Sequence, residues 1–179
     1  MSYIVVDVEA DGQAAGIYSM VSFGAVVVRK GLTDTFYSGI LKPISDKWEP
    51  EALAISGHSR EDMINGLHPS SVMTDFELWI HKVSKGKPIF ISDNNGFDWQ
   101  YVNYYFHRYV GHNPFGWSSR RIGDLYCGMV KDTHAGWKHL RETKHTKHTK
   151  HTHHPVDDAK GNAEALLKME ELGLKIKLR

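Results

Sequence analysis

"MSYIVVDVEADG", residues 1–12, is the stretch whose reading decides the fold. The apolar run Tyr3–Glu9 ends in acids and is followed at once by the turn pair Asp11-Gly12. A short apolar run bounded by turn residues reads as a buried strand. It lacks a basic leading region, so it reads as a first strand rather than a signal peptide. Side chains alternate across a strand, so Asp7 and Glu9 project from the same face. Two carboxylates there are costly unless they bind cations or accept hydrogen bonds. On its own an Asp-x-Glu pair fits either a metal site or strand-end solubility. Asp11 reads as a turn residue with Gly12.

Working outward, Met20–Arg29 (MVSFGAVVVR) and Asp34–Leu41 (DTFYSGIL) read as strands joined by a tight turn near Lys30-Gly31. Three antiparallel strands therefore open the chain. Pro50–Ile55 and Pro69–Val83 read as helices; in the second, Val72, Phe76, Trp79 and Val83 recur at helical spacing. Pro88–Ser92 is a short strand, Phe97–Val110 an aromatic-rich helix and 121–130 a further helix. Pro155–Leu172 forms the last helix, with proline in its first turn. Strands first, then helices interleaved with a strand, give an α/β class: a mixed sheet flanked by helices. No linker or shift in composition divides the chain, so residues 1–179 read as one domain.

Composition narrows the functional classes. Of 179 residues, 41% are hydrophobic, and no apolar run approaches the roughly 20 residues of a membrane span. No membrane partner is expected. The single cysteine, Cys127, excludes an intrachain disulfide framework and suits a reducing, cytoplasmic location; it reads as a core thiol. The net charge of +1 does not mark a nucleic-acid binder. Its distribution says more: Lys138, Arg141, Lys144, Lys147 and Lys150 face only Glu142 across residues 138–154. Such a basic loop either draws phosphates toward a site or is a solvated surface.

Two further acids stand at chemically telling positions. Asp98 follows the turn-rich cluster Asp93-Asn94-Asn95-Gly96, in which Asp93 and Asn94 read as caps. It lies in the first turn of a helix, just past the C-terminal end of a strand, where α/β folds place ligand-binding groups. Complementing the helix dipole is the alternative. Asp157 shares its helix side with Lys160, Glu164 and Lys168, a polar face. Asp158 shares its side with Ala165, Met169 and Leu172, which should turn toward the sheet. Asp158 is therefore the functional candidate. Oxygen ligands from Asp7, Glu9, Asp98 and Asp158 suit Mg²⁺ or Mn²⁺ better than zinc. Two such ions can activate a water and stabilise a leaving oxygen at phosphorus, and a nearby histidine can take the water's proton.

In order, Asp7-Val8-Glu9, Asn94-Asn95-Gly96-Phe97-Asp98 and His153-His154-Pro155-Val156-Asp157-Asp158 resemble the three motifs of the DEDDh (DnaQ-like) 3′–5′ exonucleases. "EALAISGHSREDM" (51–63) is similar to the segment after that family's third strand. Within the superfamily, "GIYSMVSFGAVVV", "SDNNGFDWQYV" and "HTHHPVDDAKGNAEAL" most resemble the exoribonuclease AS-type (polyadenylate-specific) group and its phage and prophage relatives. The resemblance implies an RNase H-like fold, two divalent cations and stepwise release of nucleoside 5′-monophosphates from single-stranded 3′ ends. It also implies RNA as the favoured nucleic acid and a homodimer. It makes Asp7, Glu9, Asp98 and Asp158 metal ligands and His153 the general base, since His153 stands at the family spacing of five before Asp158. Where the family commonly carries Thr-Gly, this chain has Ala10-Asp11-Gly12. Ala10 could then contact substrate only by its backbone. Met20 would wedge under the terminal base and Trp99 would stack on it. The alternatives to an exoribonuclease are a single-stranded DNA exonuclease and a non-catalytic nucleic-acid-binding module.

The Lys-His-Thr repeat at 144–152 reads as an expanded basic loop within the domain. His145, His148 and His151 recur every third residue, roughly 10 Å apart in an extended chain, too far to share one ion. Their lysine neighbours also oppose a cation.

Overall fold

The computed structural model describes residues 1–141 and 154–176. The Lys-His-Thr repeat and His153 thus lie outside the described residues. The sheet has five strands: β1 (Ser2–Ala10), β2 (Met20–Val27), β3 (Thr35–Tyr37), β4 (Pro88–Ser92) and β5 (Ser119–Arg121). Their spatial order is β3-β2-β1-β4-β5. The β1–β2 and β2–β3 pairs are antiparallel, whereas β4 runs parallel to β1 and β5 parallel to β4. This is the expected mixed sheet, antiparallel at the start of the chain and parallel afterwards.

Helices cover both faces. On one side lie α3 (Pro69–Val83) and α4 (Asn95–Tyr109). Phe76, Tyr105 and Phe106 of these helices pack against Ile4, Val6 and Val8 of β1 and Phe23 of β2. On the other side lie α5 (Ile122–Val130) and α6 (Pro155–Glu171). Ala159, Ala163 and Leu166 of α6 pack there against Tyr3 and Val5 of β1 and Val26 of β2. With cover on both faces, every residue of β2 is buried. That explains why this strand reads as a continuous apolar run rather than an alternation. The short α1 (Pro50–Ile55) and α2 (Arg60–Ile64) cap one end through Leu53 and Met63 against Val21. Among the described residues no helix is long and apolar enough to cross a membrane.

Three elements differ from expectation. β3 stops at Tyr37 because Gly39 turns the chain with a φ of 67°. The polar β5 carries no hydrophobic signal, and α2 is only five residues long, although Ser59 and Asp62 form a capping box at its start. Cys127 is half-buried rather than a core thiol; its Sγ lies 3.6 Å from the Ala135 carbonyl oxygen.

Candidate active site

β1 builds the site by running past its neighbour. Its pairing with β4 covers Ser2 to Val5 only, because β4 ends at Ser92. Beyond Val5, the β4 side of β1 is open and the first turn of α4 fills it. The Asp98 carboxylate accepts a hydrogen bond from the Val8 N–H at 3.1 Å. The alternation that sends Tyr3 and Val5 under α6 sends Asp7 and Glu9 to the same face, beside its first turn. The α6 turn reaches them because residue 24 is glycine. Gly24 pairs with Asp7 across the sheet. A Cβ there would lie 2.3 Å from the Val156 amide nitrogen and 2.5 Å from the Pro155 carbonyl carbon. The start of α6 therefore sits directly on the β2 backbone.

The result brings carboxylate oxygens of Asp7, Glu9 and Asp158 within 4.8 Å of one another. Asp98 joins them in lining a cleft of about 270 Å³. Asp157 is exposed on α6, as its helix side implies. His154 is the residue before α6; its carbonyl oxygen accepts from the amides of Asp157 and Asp158, and its ring lies against Tyr37.

Burial and mutual repulsion dominate the electrostatics of the cluster. Burial, then the charges of Asp98, Asp158 and Glu9, push Asp7 well above the usual carboxylate range; only Arg141 pulls it down. Burial and Asp158 push Glu9 up to about 7. Burial likewise raises Asp98 to about 7, against hydrogen bonds from Ser92 and Val8. Like charges in a desolvated site resist joint ionisation unless cations enter. Among the described residues this cleft offers carboxylates and no soft donor, so Asp7, Glu9 and Asp158, with Asp98 beside them, could hold a hard divalent ion.

The substrate contacts expected from sequence fare differently. Met20 is 0% exposed and belongs to the core between β2 and the α3–α4 layer, so it presents no surface to a base. Trp99 packs edge-on against Phe90 and lines a separate cavity with Asn103, His107 and Trp117, not the acid cleft. Ala10 is buried at the end of β1, opposite Met20. Asp93, which reads as a cap, and Lys138 and Arg141, which read as members of a basic stretch, all line the acid cleft. Their signal was position: one just past β4, the others just before the third motif.

Comparison with known proteins bears on this geometry. The profile of the Rv2179c-like 3′–5′ exoribonuclease domain matches residues 2–169. The chain belongs to this family. It is a 3′–5′ exonuclease. A curated relative, the 3′–5′ DNA exonuclease Cap18 of Escherichia coli, is 39% identical over 145 residues, covering 79% of this chain and 75% of the relative. The fold is shared with the nuclease domain of 3′hExo, a DEDDh family member solved with rAMP. That similarity has a TM-score of 0.75 and 15% identity, and covers 99% of this chain and 96% of the other. Exonuclease I of E. coli, solved with a dT13 oligonucleotide, gives a TM-score of 0.67 at 18% identity. This chain spans 40% of its length, with 96% of this chain covered.

Proposed function

We propose that the protein is a divalent-metal-dependent 3′–5′ exoribonuclease that releases nucleoside 5′-monophosphates from single-stranded 3′ ends. The observation that carries this reading is the convergence of Asp7, Glu9, Asp98 and Asp158 in one cleft. The raised pKa values of Asp7, Glu9 and Asp98 fit it, because carboxylates buried side by side ionise together only when cations join them. In this reading the four acids hold two Mg²⁺ or Mn²⁺. Such ions, when bound, supply Lewis-acid polarisation of the phosphate and acidification of a bound water.

The chain's own residues set the geometry. Asp7 and Glu9 are fixed by a strand paired with β2 from Ile4 to Ala10, and Asp98 is held by the Val8 amide. His153 is proposed as the base that takes the proton from the attacking water. Water's oxygen bonds to phosphorus as the bond to the upstream 3′ oxygen breaks. The departing 3′ oxygen takes a proton from solvent, so the upstream strand leaves with a new 3′ hydroxyl and the mononucleotide keeps its 5′ phosphate.

RNA is favoured by the family whose profile spans residues 2–169. DNA is the second reading, supported by the E. coli relative described as a DNA exonuclease. A nuclease assay on matched single-stranded RNA and DNA, with products resolved, separates them. Wild type is expected to release mononucleotides from RNA in Mg²⁺, and D158N to be slower by at least about 10⁴-fold, roughly 5 kcal/mol of barrier. Full activity in D158N sinks the metal-site assignment; equal cleavage of both sugars sinks strict RNA specificity. Slowing by H153A tests the base. The homodimer implied by the resemblance is measured by light scattering on the purified chain.

A further inference from the structure

Asp93 stands on the ridge between two cavities. One is the acid cleft. The other, of about 450 Å³, is lined by Arg121, Cys127, His134 and Trp137, and Asp93 and Lys138 line both. A single strand running from the second cavity into the first must pass this ridge, and a strand carries a phosphate at every step. The ridge is where the chain gathers positive charge. Lys138 Nζ lies 3.2 Å from Asp93 Oδ2 and Arg141 Nη2 lies 3.7 Å from the same oxygen. Arg121 Nε donates to the Asp93 carbonyl at 3.1 Å.

Arg141 is built into the wall. Its side chain is only 8% exposed, its guanidinium lies over the Trp137 ring at 5.0 Å, and Asn162 Oδ1, one turn beyond Asp158 on α6, accepts from Nη2. Among the described residues its Nε is buried without a hydrogen-bond partner. A guanidinium held in the wall, stacked on an aromatic ring and lining a cleft, is the kind of planar, forked donor group that takes a phosphate. Lys138 is its opposite, with a side chain 70% exposed.

We infer that Lys138 and Arg141 form a phosphate-binding wall for the incoming strand, and that the Asp93 carboxylate occupies this wall until the strand arrives. A carboxylate presents to these donors the same kind of anionic oxygen that a phosphodiester does. The Lys138–Asp93 pair is solvent-screened and costs little to break, so exchange of one anion for the other is easy. The wall also offsets the repulsion a phosphate meets from the four acids opposite. This inference rests on the cleft being the nuclease site, and its test reads binding without turnover.

The experiment measures binding of 5′-fluorescein-labelled single-stranded oligoadenylate, as RNA and as DNA, with Ca²⁺ in place of Mg²⁺. D93N keeps shape and removes charge; it is expected to tighten binding several-fold. K138A alters an exposed side chain; it is expected to weaken binding by about tenfold and to reduce the salt dependence by roughly 0.7 in log Kd per log salt, one phosphate's share on a single strand. In D93N/K138A the gain from D93N should largely vanish. Unchanged binding in either single variant, or a D93N gain that survives K138A in full, overturns the inference. Hydrolysis by the wild type without this binding pattern rejects the wall alone. The binding pattern in a protein that hydrolyses neither oligomer rejects the nuclease reading alone.

Discussion

Asp7, within β1, and Asp11, just past its end, are four residues apart, yet their charges are handled in opposite ways. Asp11 is completely buried and has partners within the fold. The Ser19 amide donates to it at 2.5 Å and the Arg60 guanidinium at 2.7 Å. Arg60 also donates to the Ser45 carbonyl, so one side chain from α2 ties two loops to the end of the sheet. Burial still raises Asp11, but Arg60 and Ser19 pull against it. Asp7 has three carboxylates around it and one opposing charge, Arg141. The difference teaches how to tell a structural acid from a functional one: the first is neutralised from within the fold, the second waits for something from outside it.

The sharpest way to break the comparison is to strip Asp11 of its partner. R60A leaves a buried carboxylate unpaired and is expected to cost about 3–5 kcal/mol in urea unfolding. Nuclease activity per folded molecule should be kept. A loss below about 1 kcal/mol, the range of an exposed pair, shows that Arg60 is not a structural partner.

G24A strikes the Asp7 side through its neighbour on β2. The added methyl meets the Pro155–Val156 backbone, and overpacking of this kind costs about 1–3 kcal/mol. Because α6 must shift away from β2, Asp158 moves with it and activity should fall even in the folded fraction. Retained activity means that the acids tolerate a displaced helix.

The smallest effect sharpens the Asp7 side. Burial raises the folded-state pKa of Asp7, Glu9 and Asp98, so in the metal-free protein the folded state holds more protons than the unfolded one from the ordinary value 4.5 up to about 7 for Glu9. Stability must therefore fall as pH rises through that window. With EDTA present, Tm should decline between these limits, and D7N should flatten the decline. Divalent metal binds the ionised acids and should restore Tm at pH 8 by roughly 5 °C. A metal-free Tm that rises with pH over this range contradicts the placement of the acids.

Much of this was legible in the sequence because it was written in periodicity. The i, i+2 spacing of Asp7 and Glu9 set a common face, and the helix side separated Asp158, half-buried in the cluster, from exposed Asp157. The boundaries of Pro50–Ile55, Pro69–Val83 and Pro88–Ser92 follow their prolines and apolar patterns. What escaped depends on contacts between distant residues. Asp11 looks like a turn residue until Arg60 is folded against it. Met20 reads as a candidate wedge until the sheet is seen to be covered on both faces. Gly24 is one small residue in an apolar run, and only the backbone of α6 explains it. Asp93 resembles an ordinary cap until Lys138 and Arg141 are brought to its side.

The position of β1 in the sheet has a consequence for how the site survives thermal motion. It is the middle strand, with β2 and β4 on its flanks, while the three-residue β3 and β5 form the edges. Local openings begin where few hydrogen bonds hold, so β3 and β5 can fray while Asp7 and Glu9 keep their backbone partners on β2. Amide hydrogens at the β1–β2 ladder should therefore exchange only through global unfolding, and those of β5 far sooner. The acids are carried by the part of the molecule that is last to let go.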